Sequence, residues 1–477
     1  MARTAVVVGS GPNGLTAGVV LARAGYQVRV LEARDQPGGG TRSAELTVPG
    51  LLHDVCSAAH PTGAASPAFR ALDLHRHGLR FAHAPVEAAH VLDGGRAASL
   101  LRDLDATATG LGVDDQAWRR TFAGPVDRVD DLTDAILGPL LRVPRHPGAL
   151  ARFVPRAVLP ATGLVRGWRT EEARALVAGM AAHAGLPLDS AGTSGIALLF
   201  GMLGHTVGWP VAVGGSQAIS VALIAALAEA GGTVETGRRV TRLPSADLVL
   251  LDTSPEDALR IAGPMVPHRV ARAYRRWRRG GAAYKIDLAV RGGVPWSAPD
   301  ARRAGTVHVG GTFEEVHAAE LAVRAGRMPQ RPFVLVGQQY LADPGRSDGD
   351  LHPVWAYGHV PFGSTARATD AVLGQIERFA PGFRDSIEHF AVRTPAELAA
   401  ENPNHPGGEI GGGAATLRQT LLRPRAALDP YRIADHVYLC SSSTSPGAGV
   451  HGMCGYHAAR HAIADHAGAA GVSASRR

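Results

Sequence analysis

The chain has 477 residues, 45% of them hydrophobic and 5% aromatic, with a formal net charge of +7. That length suits two or three domains with sizeable cores, and the interspersed charges argue against a dedicated nucleic-acid surface. No run reaches the roughly 18 uncharged apolar residues of a membrane span.

Three cysteines, Cys56, Cys440 and Cys454, form no C-x-x-C pair. That pattern argues against a disulfide framework, a cysteine zinc site and a redox-active disulfide. Arginine supplies 48 of the 49 basic residues, and Lys285 is the single lysine. The apolar start carries a glycine fingerprint that signal cleavage would destroy, so the expected location is cytoplasmic.

Residues 5–8 are fully apolar and predict a buried parallel strand. GSGPNG follows, with Gly9, Gly11 and Gly14 in G-x-G-x-x-G spacing. Residues 15–24 predict a helix ended by Gly25, and residues 27–31 a second strand that delivers Glu32. Gly9 permits a tight turn, Gly11 lets backbone approach a pyrophosphate, and Gly14 lets helix pack on strand. The helix N-terminus offers N–H groups and a positive dipole end to phosphates. Glu32 stands where an acid accepts hydrogen bonds from a ribose, which disfavours a 2′-phosphate and leaves NAD or FAD.

Glu32 opens EARDQPGGGTRS, with Gly38-Gly39 shortly after the acid. This resembles the extended signature of the FAD-dependent amine oxidase and phytoene desaturase superfamily. The resemblance implies that Ala33, Arg34, Gly39, Gly40, Thr41 and Arg42 join Glu32 around the cofactor. Residues 46–61 contain HDVCSAAHP, similar to the segment that passes the flavin ring in that family. His60 is therefore a candidate catalytic residue, or equally a histidine capping the loop before Pro61.

Residues 126–148 have helical apolar spacing, which Pro144, Pro147, Pro155 and Pro160 then interrupt. Arg142, Arg145, Arg152, Arg156 and Arg166 alternate there with apolar residues. The segment reads as a cap over a substrate cavity or as a peripheral contact with a membrane surface. Residues 192–215 are glycine-rich and apolar, with Phe200, Met202, Trp209 and Pro210 as cavity lining or core. Ser216 is expected to cap a helix over 218–230, ended by Gly231-Gly232 and followed by a strand over 233–240. The resemblance implies that the backbone of Val240 clasps adenine. Residues 247–252 predict one more buried strand.

Residues 272–279, with Arg275, Arg276 and Arg278, read as a solvated helix face. GAAYKIDLAV follows at 281–290, then Val294-Pro295-Trp296. This resembles the amine oxidase strand whose lysine addresses flavin N(5) through a water, and Lys285 falls on that position. A buried ammonium can deprotonate and hold one water; the other reading is an exposed strand lysine. Residues 308–326 pass from strand to helix, with Thr312 and Glu315 at capping-box spacing. Residues 333–341 and 354–360 predict strands of the same sheet, and Tyr340, Trp355 and Tyr357 either face a cavity or pack.

NPNHPGGEIGGG and LRQTLLRP within 402–424 also resemble the desaturase-like family. Residues 437–440 predict a last buried strand, leading through SSSTSPGAGVHGMCG to a helix over 456–467. The resemblance implies that Ser441, Ser442, Gly449, Gly452 and Met453 contact the cofactor, with the Met453 N–H at the pyrimidine carbonyl. His451 is a further candidate catalytic proton acceptor. His457 and His461 lack the glutamate of H-E-x-x-H, so no metal is expected.

The expected fold is α/β. A Rossmann-type FAD-binding domain (1–80, 212–275 and 405–477) interleaves with an α+β substrate-binding domain containing a mixed sheet (81–211 and 276–404). The resemblance runs from end to end, to phytoene desaturase-like flavoproteins that include the group similar to pyridine nucleotide-disulphide oxidoreductase domain-containing protein 2. It implies noncovalent FAD, hydride removal from a C–H bond of a largely apolar small-molecule substrate, and reoxidation by oxygen or a quinone. The alternatives are a redox-neutral double-bond isomerase, an amine oxidase, and a non-catalytic flavin-binding interaction protein.

Overall fold

A computed structural model describes residues 3–140 and 143–474, with side chains described through residue 467. Arg142 of the basic, proline-interrupted segment lies outside the described residues. Two sheets organise the chain. The first has six strands, in the order Arg432–Ala434, Val437–Leu439, Leu248–Leu251, Thr4–Val8, Gln27–Leu31, Thr233–Glu235. All neighbours are parallel except the outermost Arg432–Ala434 strand. Thr4–Val8 is central because its side chains are apolar toward both faces. Ala5 and Val7 pack under the helices Pro12–Arg23, Gln217–Glu229 and Met453–Ala474. Val6 and Val8 pack on Pro255–Ala262 and His268–Arg275.

The second sheet is mixed, as expected, with seven strands. Its order is Ile387–Arg393, Ala282–Arg291, Leu351–Val360, Val334–Gly337, Ala304–Val309, Val86–Leu92, Arg96–Leu100. Ala304–Val309 and Val86–Leu92 are its parallel pair. On one face Tyr284, Ile286 and Leu288 enter a core shared with the helix Thr369–Phe379. Strand alternation sends Lys285 and Asp287 to the other face, where Trp355 and Leu335 meet the helices Glu171–Ala182 and Thr193–Gly204.

Several expected elements are corrected. The helical stretch over 126–148 is two helices, Asp115–Asp127 and Val129–Ile136, and Pro155 lies inside a further helix, Pro147–Ala157. The strand over 233–240 stops at Glu235, and Gly237 turns the chain at a φ of 66°. Ser216 stands at the start of its helix but caps nothing. Its hydroxyl donates to the Ser57 carbonyl and meets His60 Nε2 at 2.8 Å. The strand over 333–341 is only Val334–Gly337, followed by a 3₁₀ turn. The hairpin of Val86–Leu92 and Arg96–Leu100 had a sequence signal, Asp93-Gly94-Gly95, that the burial of its flanks obscured. The capping box at Thr312 and Glu315 forms with both halves present.

The helices Pro12–Arg23 and Met453–Ala474 cross so closely that a Cβ on Gly455 would lie 1.8 Å from the Asn13 carbonyl oxygen. Gly455→Ala must therefore push the two helices apart. It is expected to destabilise the protein by about 2 kcal/mol, visible as a lower Tm in calorimetry; an unchanged Tm would contradict the packing.

Candidate functional site

One cavity of about 370 Å³ runs from the opening glycine turn to the inner face of the mixed sheet. Its near end is built by the first βαβ unit. Gly9 adopts φ 101°, available at low cost only to glycine. A Cβ on Gly11 would lie 2.6 Å from Asp252 Oδ2. A Cβ on Gly14 would lie 2.1 Å from the Gly9 carbonyl, so Gly14 serves helix-on-strand packing and does not line the cavity. Gly39 folds over this turn, its absent Cβ 3.0 Å from Gly11 Cα.

Glu32 lines the cavity at the end of its strand. It accepts the Ser10 N–H at 3.0 Å, the Ser10 hydroxyl at 2.6 Å and the Arg34 N–H at 2.9 Å. These contacts fix its orientation and leave lone pairs for a further donor. Ala33, Arg34, Gly40 and Arg42 also line the cavity. Arg42 donates to the Gly39 carbonyl at 3.0 Å and to Glu401 at 3.2 Å. Thr41 is buried behind them, its hydroxyl on the Gly38 carbonyl at 2.8 Å. Val240 reaches the cavity from a loop, and Ser442 and Gly449 from the C-terminal segment.

Other residues singled out from the sequence stand outside the lining. Ser441 is buried, and its side-chain oxygen accepts the Ser443 N–H at 3.4 Å. Gly452 packs beneath Thr16 and Phe69. The Met453 N–H donates to His451 Nδ1 at 3.0 Å, while the Met453 side chain packs with Ala68 and Leu137. His451 is buried with Nε2 unpartnered, and burial lowers its pKa to about 4. His60 is likewise buried and lowered to about 4 by burial. Its Nε2 contact belongs to a structural network in which the Ser216 N–H donates to Asp54 at 2.7 Å and Arg346 donates to Asp54 at 2.6 Å.

Lys285 is 2% exposed, which overturns the reading as an exposed strand lysine. Its ammonium pairs with Asp287, whose second oxygen accepts from Arg393 at 2.9 Å. Burial pulls the Lys285 pKa down, and Asp287 opposes the shift. His53 Nδ1 lies 3.7 Å from Asp287, and burial holds His53 neutral with a pKa of about 4. Lys285 does not line the cavity. It stands 5.8 Å from the ring centroid of Trp355, which does.

Two cavity groups escaped the sequence reading. Asp252 ends the Leu248–Leu251 strand, and its Oδ2 accepts the Gly14 N–H at 2.9 Å. Burial raises its pKa to about 7. An acid at the carboxyl end of a parallel strand beside the glycine turn was a usable signal. His183, just beyond the Glu171–Ala182 helix, lines the far chamber with Trp209, Leu335 and Tyr357. No local pattern marked it. The three cysteine thiols are unpaired. Cys56 lines the cavity, and burial raises its pKa to about 11.

These residues fit an adenine dinucleotide. The glycines leave backbone open where a Cβ would intrude, a fixed acid ends the second strand, and the Asn13 side-chain oxygen is buried without a partner beside the turn. No described helix is long and apolar enough to cross a membrane.

The comparisons agree with this geometry. Residues 7–73 match an NAD(P)-binding Rossmann-like domain. The chain is 25% identical to rat pyridine nucleotide-disulfide oxidoreductase domain-containing protein 2, over 97% of this chain and 93% of that protein. It is also 25% identical to phytoene dehydrogenase of Streptomyces griseus, over 93% and 92% of the two chains. Putrescine oxidase shares the fold at a TM-score of 0.62 and 18% identity, covering 98% of this chain and 99% of that one. The likeness to phytoene desaturases and amine oxidases read from the sequence is borne out.

Proposed function

We propose that the protein is an FAD-dependent oxidoreductase that removes hydride from a C–H bond of a largely apolar small molecule and is reoxidised by oxygen or a quinone. The observation that carries the reading is the continuity of the cavity, from the glycine turn and Glu32 to a chamber walled by Trp209, Trp355, Tyr357 and Leu335. Similarity to phytoene dehydrogenase and the shared fold of putrescine oxidase support it. When bound, the flavin supplies the hydride acceptor. Glu32 would hold the ribose, and the open backbone at Gly11 and Gly39 would take the pyrophosphate. The aromatic walls exclude water and orient the substrate. His60 and His451 face protein and are assigned no step. Lys285 is assigned a positioning role behind Trp355, held there by Asp287.

Purification tests the reading directly. A yellow protein, or a colourless one that takes up FAD and is bleached anaerobically by an apolar substrate, is expected; a preparation refractory to FAD would overturn it. Lys285→Met should slow flavin reduction or reoxidation in stopped-flow measurements, and unchanged rates would remove the role of Lys285. The same variant should lose about 2 kcal/mol of stability. That is less than the loss from a fully orphaned buried charge, because Arg393 still pairs with Asp287.

A further inference from the structure

The far chamber contains more hydrogen-bonding capacity than an apolar substrate needs. His183 Nε2 lies 3.0 Å from His308 Nε2, which leaves His183 Nδ1 without a protein partner among the described residues. Thr306 and Gln339 line the same chamber, 6% and 4% exposed, and neither side chain has a hydrogen-bond partner among the described residues. Trp355 Nε1 is fully buried and unpartnered. An unmatched buried donor costs about 1–3 kcal/mol unless a ligand or water satisfies it.

The fold makes room for this group. Gln339 curls over Gly337, where a Cβ would lie 2.4 Å from its Nε2. His308 and His90 press on the Glu171–Ala182 helix at Gly179, where a Cβ would lie 2.4 Å from His308 Nδ1 and 2.7 Å from His90 Nδ1. Thr306 and His308 stand two residues apart on one face of their strand, and Thr306 pairs in register with Gly337. These contacts hold His308 behind His183.

None of the four side chains offers a charge. Burial lowers the His183 pKa to about 3, so its imidazole stays neutral, and the Tyr357 phenol beside it is pushed up by burial and stays neutral too. The ionisable pairs packed around the chamber, Lys285 with Asp287 and His359 with Glu320, are matched within themselves, and none of these paired residues lines the cavity. A substrate ammonium or carboxylate would therefore enter desolvated and without a counter-ion.

Resting on the flavoprotein reading, we propose that His183, Thr306, Gln339 and Trp355 form a polar subsite for an uncharged oxygen group, a hydroxyl or a carbonyl, on an otherwise apolar substrate. The site hydrogen-bonds a neutral oxygen and discriminates against amines and carboxylic acids. This sets the chamber apart from that of putrescine oxidase, whose named ligand is an amine.

The test uses probes of one skeleton: geraniol, geranial, geranylamine and geranic acid. Each is titrated into the flavin-loaded protein and followed by quenching of tryptophan fluorescence. The alcohol and aldehyde are expected to bind at least about tenfold more tightly than the amine and the acid. His183→Leu and Gln339→Leu, each checked by thermal unfolding, are expected to remove most of that margin and leave FAD affinity unchanged. Equal binding of all the probes, a lead for the amine or acid, no binding of the alcohol, or a margin that survives both variants would overturn the subsite. Failure of the wild type to take up FAD would instead overturn the flavin reading alone, because the same titration runs on the flavin-free protein.

Discussion

Gly11→Ala is expected to abolish flavin binding, with at least a hundredfold loss of affinity in fluorescence titration, while far-ultraviolet circular dichroism stays that of the wild type. The new methyl would lie 2.6 Å from Asp252 Oδ2 and would stand on the wall of the cavity. Asp252 cannot simply swing away, because its Oδ2 holds the Gly14 N–H at 2.9 Å and thereby anchors the first turn of the helix. The methyl thus blocks the approach of a pyrophosphate to the backbone and disturbs the carboxylate beneath. Such overpacking typically costs about 1–3 kcal/mol even without a ligand, and the lost phosphate contacts come on top. The helix itself should survive, since Gly11 only precedes it and has an ordinary extended backbone at φ −64° and ψ 169°. Wild-type affinity in this variant would mean that the dinucleotide does not pass over Gly11.

Asp252→Asn is expected to stabilise the protein above about pH 7 and to make flavin affinity independent of pH. Burial raises the Asp252 pKa from its ordinary 3.8 to about 7. The folded protein therefore keeps this proton in a range where the unfolded chain has released it. Stability contributed by the proton is lost as pH rises from about 4 to about 7, and the loss is complete above that range. Asparagine still offers an oxygen to the Gly14 N–H and never ionises. The gain above pH 7 should be on the order of a few kcal/mol, shrinking steadily below that pH to little at about pH 4. In the wild type the ionised carboxylate would also face the phosphates, so FAD affinity should fall about tenfold as pH rises through about 7, where the folded protein releases this proton. Thermal unfolding and flavin titration at several pH values check both halves. An asparagine variant less stable than the wild type at alkaline pH, or a flat wild-type affinity, would contradict the account.

The near end of the cavity was readable because its determinants are local. Gly9, Gly11, Gly14 and Glu32 act within one strand–turn–helix–strand unit, and the structure holds them in one βαβ arrangement. The Lys285 strand was readable as a strand, and its burial was not. A two-residue alternation says which side chains share a face, and only packing says what that face meets. Lys285 and Asp287 were found paired because the sheet lays that face against His53 and Arg393. His60 illustrates the converse. Its place in a suggestive motif did not foretell that Ser216, 156 residues away, would engage its ring.

The amino-acid order by itself determined the opening unit, the glycine turn with its acid, the capping box at Thr312 and the strand character of the Lys285 segment. In each case the interacting groups are neighbours along the chain, or the pattern follows strand or helix periodicity. Tertiary structure alone decided that Asp252 would sit under Gly11, that His183, Thr306 and Gln339 would share one chamber, and that His451 would cap Met453's helix from within. The first two bring together groups more than a hundred residues apart, through parallel crossovers and sheet register that no local spacing encodes. The last is local but turns on a backbone path, with Val450 at φ 54° and Gly452 at φ 67°, that the packing of Gly452 against Thr16 and Phe69 imposes.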